Sequence, residues 1–468
     1  MIESLRYLVC CKYLYYLVFY TPSALGDGDS ICLRMFGLSG CFCQVRSDGD
    51  EVCPEAMIST ITDSDSETLR GKRVAVLVFS HYPSDPRPRR EAETLRHAGA
   101  EVDVISLEQT VGDSRRENCN GVNVLRVPLR HWRGGKLSYV FQYGSFILAC
   151  FFIMTLRCFR RRYDLVHVHN MPDVLVFSAL VPRLLGAKII LDLHDPMPEL
   201  MMSIYGLREK SFSVRLLKFL EKWSIRCAHL VLTPNIAFQK LFVARGCAPK
   251  KLRVIMNSPD EGIFPFHNLP AHSEVHNPSA RPLVVMYHGA IVERHGLDIA
   301  VSAFKSVAAD IPNAELHIFG RRTPFLDQVM AQVKELCLEK SVKYQGQKSL
   351  EQIVKAIDEC HVGIIPNRGS VFTEINMPTR IFEYLARGKA VIAPRTSGIQ
   401  DYFSDEEIAF FQPGDEADLA QKIKTLLQDA SKAQALVRRG QVVYGAHRWS
   451  EERKSFLQGT SALVAQRS

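Results

Sequence analysis

The run Asn376-Met377-Pro378-Thr379-Arg380-Ile381-Phe382-Glu383-Tyr384-Leu385-Ala386-Arg387-Gly388 carries the strongest chemical signal in the chain. Pro378 suits a first helical position, where its missing N–H costs nothing, and Gly388 suits the left-handed residue beyond a C-cap. The bracketed helix would turn its N–H groups and positive dipole end outward beside Asn376, Thr379 and Arg380, which makes an anion site fit for a diphosphate. Glu383, in the second turn, either accepts the paired hydroxyls of a ribose or lies on an outer face. The flanking stretches VGIIPNRG and VIAPRTSG favour the first reading.

Other polar residues cluster at the ends of apolar runs. His194 and Asp195 follow the run Lys188 to Leu193, with Glu199 five residues beyond His194 as a weaker candidate. His167, His169 and Asn170 close the preceding run, and His167 reads as a packing residue. The loop Ser84-Asp85-Pro86-Arg87 stands after the first run, so Asp85 and Arg87 are candidates for polar contacts to a ligand. No Gly-x-Gly-x-x-Gly follows that run, which argues against a dinucleotide oxidoreductase. Asp63-Ser64-Asp65 has the letters of a metal-binding acidic pair but lies in the atypical N-terminal prefix. No metal is expected; the helix N-terminus and arginines would neutralise a diphosphate instead.

Positioning these groups requires strands that end at one edge. Arg73 to Phe79 is a β-branched apolar run of the kind found in parallel strands covered on both faces, followed by a helix from Arg89 to Ala98 and a strand from Glu101 to Ser106. Further strands are expected at Val122 to Val127, Leu165 to Val168, Lys188 to Leu193 and Leu230 to Thr233. A second unit begins at Leu283 to His288 and continues with Glu315 to Phe319, Val342 to Gln345, Val362 to Ile365, Val391 to Ala393 and Ala409 to Phe411. Strand and helix alternate throughout, which implies parallel sheets and an α/β fold of two doubly wound, Rossmann-like domains facing a cleft. The expected division is a poorly ordered or unused extension over 1–70, an N-terminal domain over 71–258, a linker over 259–282, a C-terminal domain over 283–445 and a terminal helix over 446–468 packing back on the first domain.

The bulk numbers agree. The 468 residues exceed the roughly 250–300 that one core supports, and 47% hydrophobic with 23% charged residues is ordinary for a globular chain. A net charge of +8 without long basic runs does not suggest nucleic-acid binding. The cluster Arg157, Arg160, Arg161 and Arg162, directly after the apolar stretch Val140 to Leu156, reads either as a solvated helix end or as a peripheral contact with an anionic membrane. That stretch, inside a wound domain, is expected to be a buried or interfacial helix and not a span. Of 13 cysteines, six fall in the first 53 residues, and the others lack metal-ligand spacing, so all are read as free thiols in a reducing compartment.

The passage VGIIPNRGSVFTEINMPTRIFEYLARGKAVIAPRTSGIQDYF is similar to the donor site of the family-4 retaining glycosyltransferases of GT-B fold. HYPSDPRPRREAETLRHAGAEVDVIS and YDLVHVHNMPDVLVFSALVPRLLGAKIILDLHDPMPE resemble the acceptor domain of its bacterial, polysaccharide-type members. The resemblance runs from about residue 72 to the C-terminus. It implies transfer of a sugar from a UDP- or GDP-linked donor to a saccharide or lipid-linked acceptor, without a further cofactor, in the cytoplasm and at the inner membrane face. Residue by residue, Glu383 matches the family's ribose-binding glutamate, while the family's first glutamate falls at Ile375, with Glu374 adjacent. The diphosphate clamp falls on Gly289, Arg294 and His295, with Ala290 at the arginine position and His295 at the lysine position; Arg294 and Arg380 are the proposed replacements. His194 matches a residue lining the reaction centre, with Asp195 beside it, and Asp85, Arg87, His169 and Asn170 fall on the acceptor side. A nucleotide-sugar 2-epimerase of the same fold and a non-catalytic scaffold are the alternatives.

Overall fold

The computed structural model describes residues 69–108, 113–129, 136–268 and 282–465. The N-terminal extension, the Asp63-Ser64-Asp65 letters, the first six cysteines and most of the expected linker lie outside the described residues.

The first sheet contains β1 (Arg73–Leu77), β2 (Glu101–Leu107), β3 (Arg116–Cys119), β4 (Val122–Val127), β5 (Leu165–His169), β6 (Lys188–Asp192), β7 (Leu230–Thr233) and β8 (Leu252–Val254), in the order β3-β4-β2-β1-β5-β6-β7-β8. Its helices are α1 (Pro86–His97), α2 (Lys136–Arg160), α3 (Leu180–Leu184), α4 (Met197–Tyr205), α5 (Phe212–Cys227) and α6 (Ile236–Ala244). The second sheet contains β9 (Leu283–His288), β10 (Ala314–Phe319), β11 (Val342–Gly346), β12 (Val362–Ile364), β13 (Ala390–Pro394) and β14 (Ala409–Phe411), in the order β11-β10-β9-β12-β13-β14. Around it run α7 (Leu297–Asp310), α8 (Pro324–Glu335), α9 (Leu350–Glu359), α10 (Thr379–Ala386), α11 (Ser397–Gln400), α12 (Glu416–Gln428), α13 (Ala430–Ala446) and α14 (Trp449–Ala465).

Both sheets are doubly wound, and each reverses its strand order once near the middle, between β1 and β5 and between β9 and β12. At such a reversal the connections leave in opposite directions and open a crevice at the carboxyl ends of the strands. Three expectations need correction. The first sheet is not parallel throughout, because β3 pairs antiparallel with β4 through a tight turn at Asn120 and Gly121. Strand β3 is polar and mostly exposed, so no apolar run announced it. The short strand β8 was also missed, and α1 begins at Pro86, earlier than Arg89.

Helix α2 lies flat on the first sheet and does not cross it. Phe146, Cys150, Met154 and Cys158, four residues apart, form its buried stripe against the face that α5 also covers. The last helix, α14, returns to the opposite face, where Phe456, Leu457 and Val464 join the core under α1. Arg253 Nη1 donates to the carbonyl of Ser455 at 2.7 Å, and Glu452 Oε2 accepts from the Met256 amide at 2.9 Å.

The seat of α10 is set by one missing side chain. A Cβ at Gly363 in β12 would lie 2.4 Å from the ring of Tyr384, so the glycine lets this helix approach the sheet until the Tyr384 hydroxyl donates to the Met286 carbonyl of β9 at 2.8 Å. At the far end Gly388 (φ 68°) closes the helix: its amide donates to Leu385, and the next amide, of Lys389, donates to Tyr384, each at 3.0 Å. Gly363→Ala should therefore overpack the site and cost about 1–3 kcal/mol. Urea unfolding checks this against Gly445→Ala, which adds a Cβ with nothing within 4 Å and should be neutral or stabilising.

Candidate functional site

The crevice of the second sheet is built from the loops that leave β9 and β12. Gly296 has a φ of 63°, and a Cβ there would lie 2.0 Å from the carbonyl oxygen of Pro366, so the β9 loop crosses directly over the β12 loop. The β12 loop then leads into α10, whose first residue is Thr379. Pro378 is the N-cap and not the first helical residue, which makes the helix one residue shorter at this end than its sequence implied.

Glu383 sits in the second turn of α10, buried, with Oε2 at 3.4 Å from Nε2 of His288 at the end of β9. Burial raises its carboxyl to about 7, although Arg380 and Arg90 pull it back down. His288 is held well below the ordinary histidine range by burial first and by Arg380 second, so the pair consists of a neutral imidazole and a carboxyl poised near neutrality. Of the two readings open for Glu383, the exposed one is excluded.

Arg380 is turned inward. Nη1 donates to the His288 carbonyl at 2.8 Å, Nη2 to Asn367 Oδ1 at 3.4 Å, and the guanidinium stacks over Tyr287. This corrects its expected part as a phosphate clamp, because its planar fork is engaged by the protein itself. His295 is corrected likewise: Nδ1 is 2.7 Å from the Ala290 carbonyl, and burial, then Arg294 and Arg380, keep the ring neutral, so it shapes the loop and brings no charge. Arg294 is half-buried in that loop, and its carbonyl accepts from the Arg368 amide at 3.0 Å. Gly289 donates its amide to Phe319 at 3.0 Å, and Asn376 and Thr379 are half-buried beside the helix start.

Glu374 is bonded within its own neighbourhood. Its Oε1 accepts from the Ser397 amide at 3.0 Å, at the start of α11. Ile375, at the position of the family's first glutamate, packs against the core of the first domain. The same loop carries Ser370, whose Oγ is 3.1 Å from that of Ser203 in α4, and Phe372, whose ring lies 6.2 Å from that of Phe238 in α6. These contacts, with the Ile236 amide donating to the Tyr402 hydroxyl at 2.9 Å, bring the two strand-end edges against each other.

On the opposite side the first sheet ends in a closed ionic network. Arg87 grips Asp192 with two nitrogens, Nε at 2.6 Å and Nη2 at 2.9 Å, and donates a third bond to the Ile255 carbonyl at 3.0 Å. Glu91 lies 3.4 Å from the same guanidinium and from His167 Nε2, and 3.6 Å from His169 Nε2; His169 Nδ1 is 3.1 Å from Asp192. All of these side chains are buried. Burial alone would raise Asp192, and Arg87 overrides it to hold the carboxyl well below its usual range; Glu91 is pushed up by burial. Glu91, His167, His169 and Asp192 could geometrically surround a metal ion, yet Arg87 already supplies the positive charge at that point.

The network corrects the acceptor-side expectations. Arg87 and His169 face inward, and Asn170 is a positioning residue: its Nδ2 donates to Asp173 at 3.0 Å and to the Asp195 carbonyl at 2.6 Å, while its Oδ1 accepts from the His194 amide at 3.2 Å. Asp195 is buried beneath the loop. His194 is left partly exposed at the end of β6, and Asp85 is half-buried at the start of α1. Glu199 is buried in an ion pair with Arg245. Glu91 and Asp192 were not singled out from the sequence; Glu91 stands one helical turn beyond Arg87, a pairing signal that was available. Two other partners, His288 and Arg90, carry no local signal, because they meet Glu383 only through the fold.

Arg87→Met should leave Asp192 buried without its guanidinium and cost about 3–5 kcal/mol, read by urea unfolding. A loss below about 1 kcal/mol, the value of an exposed pair, would show that the network does not depend on this bond.

Similarity to known proteins follows the same two halves. Residues 84–258 match the glycosyl transferase 4-like domain, and residues 270–443 match glycosyl transferases group 1. A sulfoquinovosyl transferase of Arabidopsis thaliana is 24% identical over 279 residues, covering 58% of this chain and 51% of that protein. An amylovoran biosynthesis glycosyltransferase of Erwinia amylovora is 24% identical over 207 residues, covering 44% and 48%. The chain thus spans about half the length of the curated relatives it matches. Among solved structures, sucrose-phosphate synthase from Thermosynechococcus elongatus superposes with a TM-score of 0.66 at 18% identity, covering 84% of this chain and 99% of that one. Anabaena HepE in complex with UDP gives 0.61 at 16% identity, covering 84% and 100%. These likenesses carry the fold.

Proposed function

We propose that this chain, which belongs to the family-4-like glycosyltransferases of GT-B fold, is a retaining enzyme that moves a sugar from a UDP- or GDP-linked donor to a saccharide or lipid-linked acceptor. The observation that supports this most is the buried Glu383 in the second turn of α10, at the strand-order reversal of the second sheet. The helix N-terminus, with Thr379 and Asn376 beside it, receives the diphosphate, and Arg294 adds the cation that Arg380 cannot spare. Glu383 accepts the ribose hydroxyls. The structural neighbour HepE has been solved in complex with UDP and with UDP-glucose, which favours a uridine donor.

His194 lines the other wall, held there by Asn170, and contacts the donor sugar. The acceptor oxygen bonds to the anomeric carbon on the face from which the diphosphate departs. As the bond between the anomeric carbon and the diphosphate oxygen breaks, that leaving oxygen takes the acceptor hydroxyl's proton. The protein contributes position and fixed positive charge, which is how enzymes that pass no group through a side chain gain most of their rate. We place the reaction in the cytoplasm: the seven described cysteines are unpaired thiols, as a reducing compartment keeps them.

A panel of UDP- and GDP-sugars with saccharide and lipid-linked acceptors tests the reading. Glu383→Gln should lower donor affinity at least about tenfold, the loss of one hydrogen bond to a charged group, with little change in the fold. Wild-type activity retained in this variant, or release of an epimer with no acceptor present, would overturn the assignment. The buried carboxyl supplies a second, independent check. Ribose hydroxyls donate to the ionised form, so binding draws a proton off Glu383, and donor affinity should rise as pH increases through about 7. Calorimetry in buffers of different ionisation enthalpy reads that proton release, and Glu383→Gln should abolish it.

A further inference from the structure

Among the described residues, twelve of the fourteen large hydrophobic side chains that remain exposed lie on α2, α3 and α5. These helices are neighbours in one layer: α2 and α5 both pack on the 3-10 segment Asp173–Ala179 that leads into α3, and the buried stripes of α2 and α5 enter the same face of the first sheet. Their outward stripes therefore face the same solvent side. On α2 that stripe is Phe141, Leu148, Phe152, Leu156 and Phe159, on the helix face opposite Phe146, Cys150, Met154 and Cys158. On α5 it is Phe212, Leu216, Phe219 and Trp223, spaced by four, three and four residues. Leu184 of α3, 83% exposed, stands between them in the chain. Monomeric soluble proteins rarely leave an apolar surface of this extent uncovered.

The exposed charges carried by these three helices have one sign, and the exposed Glu209 ahead of α5 is paired with Lys218 at 2.8 Å. Arg160 ends α2 and Arg162 follows it, Arg183 lies on α3, and Arg215, Lys222 and Arg226 flank the α5 stripe, all exposed. No Asp or Glu occurs in α2 or α3, and the single one in α5, Glu221, is buried against Arg245. A second copy of the chain related by two-fold symmetry would bring this cationic rim against itself. An anionic bilayer offers what both features need: an apolar layer for the aromatic and aliphatic tips and negative headgroups for the rim.

We propose that the outer face of α2, α3 and α5 is a docking surface for an anionic lipid bilayer, with α2 lying in the plane of the interface. Val140–Arg160 is long and apolar enough to cross a membrane, yet its buried stripe is part of the domain core, so the helix rests on the surface and does not span it. Bound this way, the domain holds its cleft beside the membrane, where an acceptor carried on a lipid would be presented.

Co-sedimentation of the full chain with phosphatidylcholine vesicles, with and without phosphatidylglycerol, tests the face without donor or acceptor, so its result is independent of the sugar-transfer reading. Binding is expected only to the anionic vesicles and should weaken as salt is raised. Arg160→Gln with Arg162→Gln should weaken it roughly fivefold per residue removed. Phe152→Glu with Phe219→Glu should abolish binding while leaving donor affinity and the thermal midpoint unchanged, since both positions are more than half exposed. The proposal is overturned by wild-type vesicle binding in that variant, by salt-independent binding to phosphatidylcholine alone, by no vesicle binding at all, or by a dimer in light scattering that the phenylalanine substitutions dissociate.

Discussion

The bond from Arg380 to the backbone carbonyl of His288 joins the two pieces of chain that make the second crevice. A carbonyl at the end of a parallel strand has no further strand partner, and burying it without one would cost about 1–3 kcal/mol. Arg380 satisfies it from within α10 and thereby fixes how far along β9 the helix can sit. Burial already keeps the His288 ring neutral, and the positive charge placed beside it lowers its pKa further; the same charge, near Glu383, limits how far burial can raise that carboxyl. One guanidinium thus fixes the position of the helix and tempers protonation states that burial sets first.

The first domain solves a related problem in another way. Two carboxylates and two histidines converge at the ends of β5 and β6 and on α1, where no water reaches them. Such a group is tolerable only if a cation with several directed donors lies among them, and arginine meets that demand better than lysine because its fork holds both oxygens of Asp192 at once. The consequence for the cleft is indirect. With Asp192 locked, the turn after β6 is pinned through Asn170, and His194 emerges at a defined place on the wall.

The contrast between the domains explains which residues a reader of the chain could assign. The helical position of Glu383 was legible because its helix is bracketed by Pro378 and Gly388, local signals that survive folding nearly unchanged. The departure at Pro378, an N-cap where a first helical residue was expected, shifts the helix by one position without moving Glu383 off its second turn. Arg87, Arg380 and His295 could not be placed for one reason: a basic residue near the cleft looks the same in sequence whether it faces a ligand or a buried carboxylate or carbonyl of the protein. The bond from the Ser397 amide to Glu374 was not legible because that amide belongs to a different loop.

What the chain determined by itself is the succession of apolar runs and helical segments, hence two wound sheets with their loops at the carboxyl ends, because burial on both faces writes a continuous apolar pattern into every central strand. The polar hairpin strand β3 escaped that rule, being exposed. Tertiary structure decided which charged groups are spent inside the protein and which reach the cleft. Arg87 and Asp192 are 105 residues apart, and they meet only because the order β1-β5-β6 brings the start of α1 beside the end of β6. Electrostatic pairing acts over a few ångströms of space, and the linear sequence does not hold that distance.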